Sequence, residues 1–410
     1  MRRKASDSQT RKTLPCLALL LLATTLPAKA QWDIEESHTT ASLRGIHNVG
    51  GGVAWASGTE GTVLRTEDGG YLWQGCATPP GAEKLDFRGI QAFDENTAIV
   101  MSSGKGDLSR LYKTTDGCRS WKLILTNPDP EGFWDALQFE LSSRYDLNLA
   151  KTSRANGTLV GDPVDGRFVI YTTRDSGDTW QSWEPHDPQF PKVKRHPALA
   201  KRGESLFAAS NSAVISPGIN GPFAFGTGGN GGSHLFLAQP HTPFDMGATW
   251  WAFKVLNLNI ASNETSGAFS IASRRLPTYP FFDLMIVGGD YSHPQELGSA
   301  VFLPGAKSQI SKQYVITSAI PPHGYRSAVA YDPTTKTWIT VGPNGTDISR
   351  DDGRNWTPLK PTPTEPHDAD KNWNALSLPF VVGPHGRIGK LRDDAIPTEA
   401  SSKESKAKTE

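Results

Sequence analysis

The stretch that decides the fold is "TTRDSGDTW", residues 172–180, an acidic turn that ends in a tryptophan. Variants of this pattern recur along the chain, and a degenerate copy, "PFDMGATW", ends at residue 250. The four clear copies contain Asp68 and Trp73, Asp116 and Trp121, Asp175 and Trp180, and Asp351 and Trp356. A catalytic residue is needed once, whereas a residue in every copy belongs to a building unit. We therefore predict that these residues are structural: the aspartate accepts backbone N–H groups and the tryptophan covers a seam between units.

The segments between these turns read as short strands. Alternating apolar and polar residues, bounded by glycine-rich turns, predict strands, as in "DFRGIQAF" (residues 86–93) and "TLVGDPVDG" (158–166). Seven such openings, including "ESLFAASN" at 204–211, give about 54 residues per unit. The pattern predicts an all-β fold: a seven-bladed β-propeller of four-stranded antiparallel blades. The acidic turns are predicted to join the third and fourth strands of a blade.

The two ends of the chain differ from its centre. Residues 1–30 combine a basic start, an apolar run and "AKA", which predicts a signal peptide cleaved after Ala30; a short membrane anchor is the alternative. The mature chain is predicted to be secreted or periplasmic, with no membrane span after cleavage. Residues 31–392 are predicted to form one propeller domain, whose short last blade takes its outer strand from the mature N-terminus. The polar residues 393–410 are predicted to be a disordered tail.

The remaining cysteines and the charge balance limit the chemistry. Cys76 and Cys118 lie in neighbouring repeats, where export permits a disulfide; two separate thiols are the alternative. No Cys/His cluster has zinc spacing, so no metal site is predicted. The acidic turns also offer too few oxygen donors at fixed spacing for a calcium loop. With 42 basic and 42 acidic residues, nucleic acid is not a predicted partner.

A candidate binding site follows from propeller geometry, because first strands line the central channel. The residues at equivalent first-strand positions are predicted to be Arg44, Arg88, Asp135, Arg326 and Asn374. The glycine-rich turns are predicted to surround them with Asp162, Asp165, Arg167, Asp290 and Tyr291, and with Glu60, Asn230, His293 and His385. Three arginines at one opening favour a carboxylate-bearing ligand or another anion. The alternative is an internal network of arginines and aspartates that braces the blades and binds nothing.

The repeated turn resembles a known family. The pattern S/T-x-D-x-G-x-x-W is the Asp-box, or BNR repeat, and "WASGTEGTVLRTEDGGYLW" (55–73) resembles a repeat of the Ycf48/Hcf136 photosystem II assembly factors. "GDPVDGRF", "VGGDYSHP" and "VGPHGRIGKL" resemble secreted bacterial Ycf48-like propellers. The resemblance implies a non-catalytic protein that binds a protein partner and assists the assembly or stability of an envelope complex. The label "oxidoreductase" attached to some such proteins has no basis in this sequence, since no nucleotide, haem or flavin motif occurs, and no cofactor is predicted.

The alternative function is a sialidase-like glycoside hydrolase. Sialidase chemistry needs three arginines, an acid/base carboxylate and an activated tyrosine. Residues of these types occur at Arg44, Arg88, Arg326, Asp135 and Tyr325. "SRRLP", at 273–277, resembles a sialidase motif, but it falls in the fifth unit rather than near the start of the domain. We therefore predict a binding protein and retain the hydrolase as the alternative.

Overall fold

Seven β-sheets form the ring of a seven-bladed propeller, as predicted. The computed structural model describes residues 31–140, 155–184, 193–216, 223–241, 249–276, 282–305, 315–361 and 368–396. The only helices in these residues are two 3₁₀ turns, Gly106–Leu108 and Asn211–Ala213. None of the described helices has the length and apolar character needed to cross a membrane. The predicted signal peptide, residues 1–30, lies outside the described residues.

Four blades are regular antiparallel sheets, each with four strands that follow one another in chain order from the innermost to the outermost. Blade 1 contains Leu43–Gly50, Val53–Gly58, Val63–Thr66 and Gln74–Gly75. Blade 2 contains Phe87–Ala92, Ala98–Ser102, Arg110–Thr114 and Lys122–Thr126. Blade 3 contains Trp134–Phe139, Gly157–Val164, Arg167–Thr173 and Gln181–Ser182. Blade 6 contains Ala328–Asp332, Thr337–Gly342, Gly345–Ser349 and Thr357–Leu359.

Blades 4 and 5 carry additional strands. Blade 4 contains Val214–Ile215, Ala224–Gly226, His234–His241 and Thr249–Asn257, with Val193–Arg195 added in parallel at its outer edge. Blade 5 contains Ser266–Arg275, Phe282–Asp290, Ser299–Leu303 and Ile316–Thr317. Its inner edge is extended by Gly228–Gly229 and Glu204–Ser205. The predicted opening strand at 204–211 is therefore wrong: only its first two residues are a strand, and blade 4 opens at Val214.

The N-terminal strand closes the ring in blade 7. This blade contains Ala375–Ser377, Phe380–Val382, Ile388–Leu391 and, outermost, Trp32–Glu35. Trp32 pairs with Leu391 in antiparallel register and is 1% exposed, and its indole N–H donates to Thr346 Oγ1 of blade 6 at 3.0 Å. The predicted closure is confirmed. The predicted tail begins too early, because Ile396 is buried against Trp32 and Trp373; residues 397–410 lie outside the described residues.

The acidic turns join the third and fourth strands of blades 1, 2, 3 and 6. In blade 1, Asp68 Oδ1 accepts from Thr66 Oγ1 at 2.8 Å and from the Leu72 N–H at 3.0 Å. Thr66 Oγ1 in turn accepts the Gly70 N–H at 3.1 Å. The same three bonds recur in the turns of Asp116, Asp175 and Asp351, with every distance within 0.1 Å of its counterpart in blade 1. The fifth, degenerate copy, "PFDMGATW", lies largely outside the described residues.

The tryptophans that close these turns pack against the preceding blade. Trp73 of blade 1 meets Phe380 of blade 7 edge-on and donates its indole N–H to Glu35 at 2.7 Å. The other three tryptophans share clusters with the blade before their own in the same way: Trp121 with blade 1, Trp180 with blade 2 and Trp356 with blade 5. The hydrophobic core is therefore a set of seams between blades.

A disulfide joins blades 1 and 2, between Cys76 and Cys118. Cys118 takes a positive φ of 60° at the turn position where the other three copies have glycine. Of the two arrangements that the sequence left open, the structure has the bridged one. It closes a chain segment of 42 residues across a seam and thereby restricts the unfolded chain.

Candidate functional site

The innermost strands of four blades each contain a bulge at the same position. Strand pairing skips Arg44 in blade 1, Arg88 in blade 2, Asp135 in blade 3 and Phe269 in blade 5. A bulge places an extra residue opposite one partner residue and turns its side chain out of the regular alternation. All four side chains line one cavity at the centre of the ring.

Blades 6 and 7 place one residue each at the equivalent position. The Ser327 N–H donates to Val341 O at 2.9 Å, and the Asn374 N–H donates to Val382 O at 2.7 Å, one residue before each strand begins. Both residues line the cavity. The equivalent residue in blade 6 is thus Ser327, and the prediction of Arg326 was wrong by one residue. Because side chains alternate along a strand, this offset of one residue places the side chain of Arg326 on the opposite face from that of Ser327.

Arg326 is a brace inside blade 6. It is fully buried, and its guanidinium binds the buried carboxylate of Asp347 through Nε at 2.8 Å and through Nη2. His323 bonds the other oxygen of Asp347, with Nδ1 and Oδ1 2.8 Å apart. The internal network that the sequence left open as an alternative therefore applies to Arg326. Arg44 and Arg88 also share an aspartate across two blades, but both line the cavity.

The cavity has a volume of about 470 Å³ and lies on the face that carries the turns between second and third strands. A segment containing the 3₁₀ helix Asn211–Ala213 crosses the central axis behind it. Its side chains bond to the innermost strands of four blades, at Ile90, Leu137, Ser270 and Ser327. The segment therefore links four blades at the centre of the ring, and the cavity is a cup whose wall includes Ala208 and Ala209.

Two arginines form the cationic side of the cup. Asp86 bridges them, with Oδ1 3.2 Å from Arg44 Nε and Oδ2 2.9 Å from Arg88 Nε. Arg88 Nη1 also donates to Ala208 O at 3.0 Å. Within the described residues, both Nη groups of Arg44 and Nη2 of Arg88 find no acceptor. Asp86 thus fixes the two guanidinium groups and leaves three nitrogens available to a ligand.

Two aspartates lie beside the arginines. Asp135 is 2% exposed, and its Oδ2 has no hydrogen-bond partner among the described residues. Burial and the nearby charge of Asp162 raise the pKa of Asp135 well above 3.8, and Arg88 offsets only part of this effect. Burial also raises the pKa of Asp162 to about 6, although Asp162 Oδ1 accepts the Leu206 N–H at 2.9 Å. The cup therefore contains two acids whose charged forms are disfavoured by burial.

Aromatic rings form the opposite side. Phe207 and Phe269 stack with centroids 4.3 Å apart, and Tyr325 meets Phe269 edge-on at 4.7 Å. Tyr291, which is half exposed, lies at the rim, and its ring centroid is within 6.1 Å of the ring centroids of both phenylalanines. Burial raises the pKa of Tyr325, so its hydroxyl stays protonated. The cup thus has a charged side and an apolar side.

Several predicted site residues do not line the cup. Asp165 and Arg167 lie in an exposed turn of blade 3. Asp290 is partly buried, but hydrogen bonds from Thr265, Asn263 and Ser292 hold its pKa below 3.8, so it organises its own turn. Exposed positions outside the cup are also taken by Glu60, Asn230, His293 and His385. Of the predicted site, the structure brings together Arg44, Arg88, Asp135, Asp162, Tyr291 and Asn374.

The sequence analysis missed several residues of the cup. Asp86, which pairs with both arginines of the cup, lies two residues before Arg88, so the acid and the arginine in "DFR" were a usable signal. Phe269 and Ser327 occupy repeat positions where an alignment by strand pairing, rather than by charge, would have found them. Phe207 belongs to the segment that crosses the axis, which strand patterns do not predict.

Known proteins are similar in structure rather than in sequence. No protein-family model and no curated protein matches the chain. A structure described as YCF48 bound to D1 peptide is 16% identical, with a TM-score of 0.52 over 90% of this chain and 98% of that one. YCF48 from Cyanidioschyzon merolae is 17% identical, with a TM-score of 0.52 over 88% and 99%.

A glycoside hydrolase also shares the architecture. The GH74 xyloglucanase from Xanthomonas campestris is 15% identical, with a TM-score of 0.51 over 90% of this chain and 55% of that one. At these identities the similarity establishes the fold alone. The predicted resemblance to Ycf48-like propellers is confirmed at that level: the chain has the fold of these proteins.

Proposed function

We propose that this protein is a non-catalytic binding propeller that captures a carboxylate-bearing segment of a protein partner in the central cup. The observation that carries the proposal is the arginine pair. Arg44 and Arg88 are fixed by one shared carboxylate and both line the cup, and three of their guanidinium nitrogens have no acceptor among the described residues. A carboxylate can accept two parallel N–H bonds from such a group.

The charge balance of the cup also favours an anion. Burial lowers the pKa of Arg44, which shows that desolvation opposes its charge. Asp86 compensates part of the charge of the two guanidinium groups, and burial disfavours the charged form of Asp135 by raising its pKa. An incoming carboxylate therefore improves the electrostatics of a partly desolvated site.

The identity of the ligand as part of a protein rests on similarity of fold. One of the structures with this fold is YCF48 bound to a peptide. In this proposal the present chain likewise binds a protein segment, and it acts outside the cytoplasm on the assembly or stability of an envelope complex. The predicted signal peptide and the bridge between Cys76 and Cys118 support a secreted or periplasmic location.

The test uses the mature chain, residues 31–410, on a peptide array whose members end in a free carboxylate, beside the same array with terminal amides. We expect binding to the free carboxylates, weakened by salt, and loss of that binding in the Arg44→Ala/Arg88→Ala variant. The matched control, Arg119→Ala/Arg354→Ala, removes two charges from exposed residues of the acidic turns. Equal binding by both variants at matched melting temperature would overturn the proposal.

A second candidate, glycoside hydrolysis, is favoured by one observation: Asp135 and Asp162 are paired acids with raised pKa values in one cavity. The sialidase form of this chemistry lacks its third arginine, because Arg326 is fully buried against Asp347. Burial also raises the pKa of Tyr325, which disfavours its use as a nucleophile. A panel of fluorogenic glycosides at pH 5 and 7 decides the question: turnover that is lost in Asp135→Asn would establish the enzyme, and we expect none.

A further inference from the structure

We propose that the cup recognises the last residue of a peptide ligand. It binds a peptide C-terminus that has an aromatic or branched aliphatic side chain, and the N–H of the last peptide bond donates to Asp135. This inference rests on the proposed function, because the free carboxylate at Arg44 and Arg88 is its anchor. It adds two further contacts, an apolar one and a hydrogen-bonded one, and each is present in the same cavity.

The apolar contact is the aromatic side of the cup. Phe269 and Tyr325 are 1% and 5% exposed, yet both line the cavity, so their accessible edges face the ligand rather than bulk solvent. Ala208 and Ala209 continue this surface behind the rings. An apolar side chain that enters the cup on this side exchanges water for contact with these rings, which gives a hydrophobic gain.

The hydrogen-bonded contact is the free oxygen of Asp135. A buried acceptor without a partner is costly, and Oδ2 of Asp135 has none in the described part of the chain. A carboxyl group keeps an acceptor oxygen even when it is protonated, so a donor on the ligand can satisfy Asp135. Asp135 occupies the bulge position in blade 3, next to that of Arg88 in blade 2, so the donor and the carboxylate must be close together in the ligand.

A peptide C-terminus has this arrangement. Its last residue carries the carboxylate, the amide N–H and the side chain on one Cα, and these three groups match the arginines, Asp135 and the rings. A cavity of about 470 Å³ lies within the usual size of ligand pockets and excludes a folded domain.

The experiment measures binding of labelled peptides that differ only at their end. Each has the form acetyl-Gly-Gly-Gly-X with a free carboxylate, where X is Phe, Leu, Ala or Asp. We expect Phe and Leu to bind roughly 10- to 100-fold more tightly than Ala, since each 1.4 kcal/mol of apolar gain is a factor of ten. Asp in the last position should bind no better than Ala.

Two changes in the ligand isolate the other contacts without altering the protein. A terminal amide should abolish binding by removing the carboxylate. N-methylation of the last peptide bond removes the N–H, and it should weaken binding to the wild type about tenfold or more but have little effect on Asp135→Ala. This pairing separates the hydrogen bond from any effect of the variant on folding.

The outcomes separate the two proposals. If no peptide with a free carboxylate binds, the proposed function itself fails. If free-carboxylate peptides bind equally whatever their last side chain, or if N-methylation acts equally on wild type and Asp135→Ala, only the specificity for the last residue fails. If glucuronate or N-acetylneuraminate competes more strongly than the Phe peptide, the ligand is a sugar acid rather than a peptide C-terminus, and the inference is overturned.

Discussion

The acidic turns and the cup are both products of the repeat, and they differ in what is repeated. In the four turns the residues recur, and so do three hydrogen bonds with distances that vary by no more than 0.1 Å. In the cup only the backbone position recurs. The residues that occupy it are Arg44, Arg88, Asp135, Phe269, Ser327 and Asn374.

The difference separates structure from recognition within one repeat. A turn must satisfy the same backbone groups in every blade, so it keeps the same side chains. The bulge position faces a shared central space, where six side chains of five types can surround one ligand. The carboxylates show the same contrast: hydrogen bonds from Ser120 lower the pKa of Asp116 to about 2, whereas burial raises that of Asp162 to about 6.

The largest effect should come from opening the ring, because both regions depend on its closure. Removing residues 31–36 deletes the strand Trp32–Glu35, exposes the edge Ile388–Leu391 and takes away the acceptor of the Trp73 indole. We expect insoluble protein or loss of the cooperative melting transition. Removing residues 397–410 should leave the melting temperature nearly unchanged, and equal losses in both truncations would contradict the role of the strand as a closure.

The next effect tests the seams beneath the acidic turns. Trp73→Ala should lower the free energy of unfolding by about 3–5 kcal/mol, because it removes a buried ring and its bond to Glu35. Tyr71→Ala, in the same turn, is the control: its ring is 90% exposed and its loss should cost little. Denaturant titration measures both. A Trp73→Ala variant as stable as Tyr71→Ala would show that the seam does not stabilise the blades.

A pair of aspartate variants compares the two regions directly. Asp175→Ala should cost about 1–3 kcal/mol, because the turn loses the acceptor of the Thr179 N–H and Oγ1 groups. Asp135→Asn should leave stability unchanged or raise it, since burial already opposes the Asp135 charge, and it should alter only peptide binding. Thermal melting and the peptide assay are run on both. If Asp175→Ala loses peptide binding but keeps native stability, the assignment of Asp175 to structure rather than to binding is wrong.

The smallest effect is the pH dependence of stability, which should have opposite signs in the two regions. The pKa of Asp116 is lower in the folded state than its ordinary 3.8, so its stabilising contribution is present above 3.8 and is lost as the pH falls towards 2. The pKa of Asp162 is higher in the folded state, so its contribution is present below 3.8 and is lost as the pH rises through about 6. Differences between wild type and Asp116→Asn or Asp162→Asn, measured by melting at pH 2 to 7, should follow these two windows; parallel curves would contradict the contrast.

The sequence by itself determined the architecture. Local turn chemistry, strand alternation and a unit of about 54 residues predict seven closed blades, and the short last unit predicts the strand at the N-terminus. Four members of the cup, Arg44, Arg88, Asp135 and Asn374, also followed from their repeat position. These inferences succeed because the repeat is encoded locally in each unit, and because a unit that lacks its outer strand indicates that another part of the chain must supply it.

Only the tertiary structure decided what the cup is. Arg326 and Ser327 are adjacent in sequence, and strand register places one inside a blade and the other at the cavity. The segment around Asn211 is held at the centre of the ring by bonds to four separate blades, which no local pattern encodes. The raised pKa of Asp135 likewise arises from burial beside Asp162, a contact made by the folded sheet. Register, closure and burial are properties of the packed blades, so they become visible only when distant parts of the chain meet.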